Sequence, residues 1–194
     1  MKRIFLCSLI LIQALLAEKA PTAFEALKSA ENHIAKESLG KVIQINGERD
    51  GVTLTPSTWS FVFFDLNARQ QGRIVTVRAG KPIEIRDGYF EIDKLRMAAY
   101  KADEVMTPAY LKVDSNQALQ SVIKSAGLEK VKLSTVTFNL AKDNGARLPY
   151  WNVRLFADKN GKEVDIGYAV VSAETGGVIE SKIDLQKLVD KKKN

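Results

Sequence analysis

Apolar and polar residues alternate in short runs over most of this chain, while two other runs have helical spacing. Alternation with a period of two predicts half-buried β-strands. Eight strands are predicted, namely KVIQI, TWSFVFFDL, GRIVTVRA and KPIEIR in the first half, and KVKLSTVTFNL, PYWNVRLFA, EVDIGYAVVSA and GVIESKI in the second. Most of their separators are short and rich in Gly, Asn and Asp, so neighbouring strands are expected to form antiparallel hairpins.

A helix is predicted before each group of four strands. The first has apolar residues near helical spacing, with Gly40 as the expected stop; these residues are Phe24, Leu27, Ile34 and Ala35. In the second, Asp114 or Ser115 is the expected N-cap and Gly127 the expected end. Its apolar stripe is Ala118, Leu119, Val122 and Ile123. Neither helix is apolar all round, so each is expected to pack one face on a sheet.

The two halves of the chain repeat one another. EALKSA in the first half returns as QALQSV, and Trp59 returns as Trp151, in both cases 92 residues later (151 − 59). VRAGKPIE likewise has the longer VSAETGGVIE as its counterpart. Landmarks in the same order at one offset indicate an internal duplication. We therefore predict an α+β protein of two tandem repeats, each with one helix packed on a curled four-stranded antiparallel sheet.

The predicted segments are a signal peptide over 1–17, a first repeat over 20–87, a connector over 88–113 and a second repeat over 114–190. The connector contains too many apolar and aromatic residues for a flexible linker. We expect it to pack across both repeats and to fix their relative orientation.

The N-terminal stretch MKRIFLCSLILIQALLA has a charged start, an apolar run and small residues before Ala17. This pattern predicts a secretory signal peptide that is cleaved after Ala17. The apolar run is shorter than the roughly 20 residues of a membrane span, although a retained anchor is the alternative. The protein is therefore expected to be exported, periplasmic or secreted, with no stable membrane insertion after cleavage. The only cysteine, Cys7, lies in this stretch, so no disulfide or thiolate site is expected in the mature chain.

Charge argues against a nucleic-acid partner. Loss of Lys2 and Arg3 with the signal peptide lowers the formal net charge from +6 to +4. The remaining basic residues are interspersed with acids instead of forming one stripe. A weak attraction of the mature protein to anionic lipid or to peptidoglycan is an alternative.

An aromatic stripe is predicted to belong to the core and not to a ligand site. Trp59, Phe61 and Phe63 alternate along one strand, and Trp151, Val153 and Leu155 do so at the matching positions. Between the latter, Asn152 and Arg154 are expected to point outward.

No catalytic, cofactor-binding or metal-binding residue is predicted, and the chain is not expected to be an enzyme. His33 is the only histidine, and the motifs of serine hydrolases, zinc peptidases and P-loop proteins do not occur. Asp165 and Glu163 share a strand face and offer acid/base chemistry, but are expected to be solvated. DKNGKEVD, 158–165, faintly resembles a calcium loop, but Gly161 comes fourth, so a hairpin turn is favoured.

The second half resembles the PepSY domain. The resemblance rests on WNVRLFADKNGKEVDIGYAVVSAETGGVIE behind an amphipathic helix. The first half keeps the Ala79-Gly80 pair of the motif but lacks the acid-Thr step before glycine. The resemblance implies a cystatin-like fold of one helix and four strands, no catalytic residues, and a role in binding or restraining peptidases. In architecture alone, the chain is also similar to secreted β-lactamase inhibitory proteins. The tetrapeptide ETGG, 174–177, is read as a turn between the last two strands and not as a ligand cradle.

The expected function is that of an exported, non-catalytic binding protein whose partner is a peptidase, a peptide or another envelope protein. The expected binding surface is the sheet face away from the helices, the hairpin tips at 67–71 and 158–161, or a sheet edge. One alternative is a small hydrolase or isomerase with a pocket between helix and curved sheet. Another is a purely structural envelope protein.

Overall fold

The computed structural model describes residues 20–51, 53–89, 98–142 and 147–189, so the predicted signal peptide lies outside the described residues. The α-helices are α1 (Ala23–Glu31) and α2 (Ser115–Ser125). The strands are β1 (Val42–Glu48), β2 (Thr58–Phe64), β3 (Gly72–Arg78), β4 (Lys81–Asp87), β5 (Leu133–Lys142), β6 (Pro149–Lys159), β7 (Lys162–Ser172) and β8 (Val178–Ile183). Short 3-10 helices occupy Lys36–Ser38, Arg69–Gln71, Ala102–Glu104, Pro108–Tyr110 and Leu185–Leu188.

The fold is α+β, with helices packed on a single eight-stranded antiparallel sheet that does not close into a barrel. The strand order is β4-β3-β2-β1-β5-β6-β7-β8. All eight predicted strands are confirmed, as are the hairpins β3–β4 and β6–β7. The expectation of two separate four-stranded sheets is corrected, because β1 pairs with β5 and joins the two groups. The first strands of the two halves therefore meet at the centre of the sheet.

The first helix ends earlier than its apolar spacing predicts. It stops at Glu31 with Asn32 as C-cap, and the chain turns before the short 3-10 helix. Ile34 still packs against the core, although it has left the helix. The second helix begins and ends as predicted, with Asp114 as N-cap and Gly127 at φ +63° directly after it.

One hydrogen bond from a buried tryptophan occurs in each half, and donor and acceptor both recur 92 residues later, as the sequence landmarks do. Trp59 Nε1 donates to the carbonyl oxygen of Pro21 at 3.0 Å, and Trp151 Nε1 donates to that of Val113 at 2.8 Å, each across 38 residues. Both α1 and α2 begin with a capping box, in which the N-cap and third residues exchange hydrogen bonds. The two halves thus share local geometry as well as sequence landmarks.

One core joins the two halves on the helix side of the sheet. The Phe138 ring lies 5.7 Å from that of Trp59 and 5.8 Å from that of Trp151, centroid to centroid, and so bridges the two. All of the predicted stripe residues are buried, at 0% or 1% exposure. At the start of the helices, the amide of Ala23 donates to Ser115 Oγ at 3.1 Å, so the helix N-termini also meet.

The connector is described over 88–89 and 98–113, and the second of these stretches contacts both halves, whereas 90–97 lie outside the described residues. Tyr100 is buried on the sheet face opposite the helices, in a cluster with Ile43, Val62, Phe64 and Ile74. Met106 donates its amide to the Val42 carbonyl in the first half. Further along, Lys112 and Val113 donate to the Ala173 carbonyl in the second half.

The two indole hydrogen bonds predict matched losses of stability. Trp59→Phe and Trp151→Phe each remove an indole donor, so that a buried carbonyl loses its hydrogen bond and a small cavity forms. Each substitution is expected to lower the free energy of unfolding by about 2 kcal/mol. Urea unfolding followed by circular dichroism measures both. The conservative Tyr150→Phe, at a half-buried position on the other face, is the control. A negligible cost for either tryptophan variant contradicts the shared geometry.

Connector packing predicts slow proteolysis. A Cβ on Gly72 would lie 2.5 Å from the Gly88 carbonyl oxygen and 2.7 Å from the Tyr100 ring. The substitution Gly72→Ala is therefore expected to displace Tyr100 from its buried position. Cleavage by trypsin at the neighbouring Lys101 should then become faster. Gly177→Ala is the control, because its nearest new contact is 3.4 Å away. Rapid cleavage of the unsubstituted protein near Lys101, with release of two stable halves, would be incompatible with this packing.

A candidate binding face on the open side of the sheet

The face of the sheet opposite the helices, called the outer face below, carries a row of mostly polar side chains. The strand register places one residue from each strand side by side across all eight strands. In spatial order this polar row is Glu84, Thr76, Ser60, Asn46, Asn139, Asn152, Val170 and Glu180. A glutamate stands at each end of the row, and two asparagines meet at its centre.

Side chains of the row hydrogen-bond to one another. The hydroxyls of Ser60 and Thr76 are 3.1 Å apart, and Thr76 Oγ1 is 3.5 Å from a carboxylate oxygen of Glu84. At the centre, Asn139 Nδ2 donates to Asn46 Oδ1 at 2.7 Å, across the junction between β1 and β5. The row is therefore ordered by its own contacts.

Asn46 has an unused donor. Its Oδ1 accepts from Gln44 Nε2 at 3.1 Å as well as from Asn139, which directs the oxygen towards both neighbours. Its Nδ2 is buried and has no hydrogen-bond partner in the part of the chain that the structure describes. The residue is only 5% exposed. A buried donor without a partner costs about 1–3 kcal/mol, so it calls for an explanation.

A groove of about 710 Å³ lies beside the first half of the row. Ser60, Thr76 and Glu84 of the row line it, together with Glu48, Arg78 and Arg86. Arg78 Nε donates to Thr58 at 3.1 Å, and Arg86 is 3.4 Å from Glu84. The groove thus presents both donors and acceptors on an ordered floor.

The two acids singled out from the sequence each have their own partners. Arg154 donates to Asp165 from Nε at 2.9 Å and also from its terminal nitrogen, and this bond holds the pKa of Asp165 below its ordinary value. The same contact raises the pKa of Arg154. Glu163 instead pairs with Arg49, which lies 4.5 Å from the Phe156 ring centroid. Each of the two carboxylates is therefore ion-paired with its own arginine at the protein surface.

The segment 158–165 is a hairpin turn, as predicted. Asn160 and Gly161 have φ of +53° and +78°, as a two-residue turn between β6 and β7 requires. Asp158 accepts from the Gly161 amide at 2.7 Å, and a hydrogen bond from Lys132 lowers its pKa. Among the described residues, no three His, Cys, Asp or Glu side chains cluster as metal ligands would.

The ETGG tetrapeptide is also a turn, as predicted, and its polar side chains have local partners. Ser172 Oγ accepts from the amides of Glu174 and Thr175, and Gly176 has φ +74°. The Glu174 carboxylate is 3.0 Å from Lys112 Nζ on the connector. The first half turns at Ala79 and Gly80 instead, both of which have a positive φ.

The other predicted positions have different surroundings. His33 is exposed in the turn after α1, outside the helix in which the sequence placed it. The tip at 67–71 bonds the connector, since the Gln70 carbonyl accepts from the Tyr100 amide at 3.0 Å. The tip at 158–161 carries no such contact with the connector among the described residues. Within those same ranges, no helix is long and apolar enough to cross a membrane.

Sequence reasoning missed the polar row. Asn46 and Asn139 each pair with the residue directly after a repeated tryptophan, Ser60 or Asn152, and this correspondence was the available signal. Their meeting depends on the pairing of β1 with β5, which no hairpin connection predicts.

No protein-family model, curated protein or solved structure matches this chain. The PepSY resemblance therefore stays a prediction that rests on the residues quoted for it.

The pKa of Asp165 predicts a pH-dependent stability difference. The pKa of Asp165 in the folded protein lies below the unfolded value of about 3.9. The ion pair between Arg154 and Asp165 therefore contributes fully to the free energy of unfolding at neutral pH, and this contribution is lost as pH falls through the folded pKa. Asp165→Asn keeps an acceptor for the Gly167 amide and is expected to cost less than about 1 kcal/mol at pH 7, since the pair is near the surface. This cost should shrink as pH falls through the folded pKa of Asp165 and vanish once the carboxyl is protonated in both states.

Urea unfolding between pH 2 and pH 7 measures this difference. Glu129→Gln, on the exposed turn after α2, is the matched control and should show no such trend. A cost of Asp165→Asn that stays constant down to pH 2 argues against the ion pair as its cause.

Proposed function

We propose that this chain is an exported, non-catalytic binding protein that holds a protein or peptide partner on its outer face. The observation that carries the proposal is the groove of about 710 Å³ beside the polar row, which is lined by charged side chains of both signs, among them Glu48, Arg78 and Arg86. Both α1 and α2 pack on the opposite side of the sheet, so the exposed part of the outer face is the proposed contact surface.

Packing between the helices and the sheet supports a binding role over a hydrolase or isomerase. That layer contains Trp59, Trp151 and Phe138, all nearly or fully buried. An enzyme of the kind considered above needs a substrate pocket in this layer. The paired state of Asp165 and Glu163 likewise gives no support to acid/base chemistry.

The finer assignment, also proposed, is to two tandem PepSY-like repeats of cystatin-like topology, with a secreted peptidase as the leading partner class. It is supported by the motif in the second half and by the matched indole bonds and helix caps of the two halves. Export is supported by the charged and apolar N-terminal stretch. A structural envelope protein without a saturable partner is the second candidate.

Affinity capture tests the proposal. The full chain, immobilised and exposed to the native envelope and secreted fraction at several salt concentrations, is expected to retain a specific partner. Arg78→Glu reverses a charge in the groove and should weaken retention severalfold, because the mixed charge pattern of the groove is altered. Lys124→Glu reverses an exposed charge on α2 and is the matched control.

Inhibition assays against a panel of secreted peptidases then test the partner class. Inhibition that weakens in Arg78→Glu but not in Lys124→Glu supports a peptidase partner. If nothing is retained under any salt condition, the structural role is favoured; if both variants bind equally well, the outer face is not the binding surface.

A further inference from the structure

The edge strand β4 of the described sheet leaves backbone hydrogen-bonding groups without a neighbouring strand. It stands at one end of the strand order, so only one of its sides is paired, with β3. The Gly88 amide donates to the Gly72 carbonyl at 2.9 Å, which fixes the alternation of the ladder. Glu84 and Arg86 therefore direct their backbone groups towards β3, while Ile85, between them, directs its amide and carbonyl away from the sheet.

Apolar side chains are exposed on the same edge. Ile83 is 51% exposed and Ile85 is 46% exposed, although the neighbouring strand β3 is largely buried. Ile85 lies opposite the buried Val75 and hence on the helix side of the sheet. An open edge is a template for a further strand, and exposed isoleucines add apolar area to such a pairing.

Charge decides which strand and which register fit this edge. In an antiparallel pair of two β4 strands, the outward backbone groups bond only in registers that differ by two residues. If Ile85 meets Ile85 of a second copy, then Glu84 of each copy lies opposite Arg86 of the other. The two neighbouring registers instead place Glu84 opposite Glu84, or Arg86 opposite Arg86, which is destabilising. One register is thus apolar at its centre and charge-complementary on the outer face.

A β-bulge limits this pairing to a short segment. The register between β3 and β4 shifts between Thr76 and Val77, which leaves Ile83 as the extra residue on β4, and Pro82 before it has no amide. Regular pairing is therefore restricted to the segment after the bulge. A two-fold axis at Ile85 uses the same segment of both copies, so the contact closes as a dimer and does not extend into a chain.

The other edge strand, β8, has a similar order of residues but fits less well. Its own bulge leaves Ile179 as the extra residue, followed by Glu180, a serine and Lys182. The serine stands where β4 has Ile85, so self-pairing of β8 would bury no apolar side chain at its centre. Glu180 and Lys182 also share a local partner, because Tyr168 donates to Glu180 at 3.1 Å and its ring centroid lies 5.7 Å from the Lys182 ammonium.

We propose that two copies of this chain pair antiparallel along β4 about a two-fold axis at Ile85, so that the two eight-stranded sheets become one. Ile85 of each copy contacts Ile85 of the other on the helix side. Glu84 of each copy pairs with Arg86 of the other on the outer face. Such a small contact belongs to the transient class of interfaces, so its dissociation constant is expected between about 1 µM and about 1 mM. This contact does not depend on what the outer face binds.

Reversal of the charges tests the contact between copies. Glu84→Arg and Arg86→Glu each place like charges opposite one another, so each is expected to weaken dimerisation of the full chain at least tenfold in sedimentation velocity. An equimolar mixture of the two variants is expected to form heterodimers, because an all-basic edge then meets an all-acidic one. The contact between Glu84 and Arg86 within one strand is not restored in this mixture, so its recovery reports the contact between copies. Glu180→Arg makes the same reversal on β8, and this matched control should dimerise as the unsubstituted chain does.

Cross-linking supplies a second measurement, because only the residue on the axis meets its own copy. In a chain that also carries Cys7→Ser, Ile85→Cys is expected to form a disulfide-linked dimer on oxidation. The Cα atoms of a hydrogen-bonded antiparallel pair are about 5.5 Å apart, which a disulfide can span. Ile83→Cys is the matched control, since its exposure is similar but it lies off the axis.

The inference is overturned if the unsubstituted chain is still monomeric at about 1 mM, since no dimer in the expected range of affinity would then exist. It is also overturned if the mixed charge variants fail to associate, or if the two cysteine variants cross-link alike. Loss of association in Glu180→Arg, with assemblies longer than dimers in the unsubstituted chain, would replace it by a head-to-tail contact between β4 and β8.

Discussion

Pairing of β1 with β5 turns two small sheets into one, and most other features follow from it. Without this pairing, β1 and β5 would each be the edge strand of a four-stranded sheet, with a row of unpaired backbone groups. The pairing aligns Asn46 with Asn139 and brings the N-termini of α1 and α2 into contact. It also places Phe138 between the two buried tryptophans, so that both helices cover one continuous core.

Polar residues at this junction help to explain why the two strands meet in one register. A shift of β1 by one residue would move Asn46 to the helix side and bring the apolar Ile45 to the outer face, while Asn139 stayed where it is. Asn46 would then be buried among the aromatic residues of the core without its partner. The polar pair thus contributes specificity to the pairing of β1 with β5.

Local signals in the sequence were sufficient for the strands, the turns, the bounds of the second helix and the buried tryptophans. Alternation and turn residues predicted eight strands, and Asp114 and Gly127 bounded the second helix correctly. The end of α1 was misplaced because Ile34 reaches the core from a turn as well as it would from a helix. The β1–β5 pairing joins strands that are far apart in sequence, so no turn signal announces it, and the polar row that depends on it could not be predicted either.

If the continuous sheet is the central feature, its most direct test is native-state hydrogen exchange of the full chain. The backbone amides at the junction, in the pairs from Gln44 with Ala141 to Gly47 with Phe138, are predicted to be among the slowest to exchange. They should also open together with the tryptophan-containing cores of both halves. Fast exchange along β1 and β5, with two halves that unfold independently, would contradict the account.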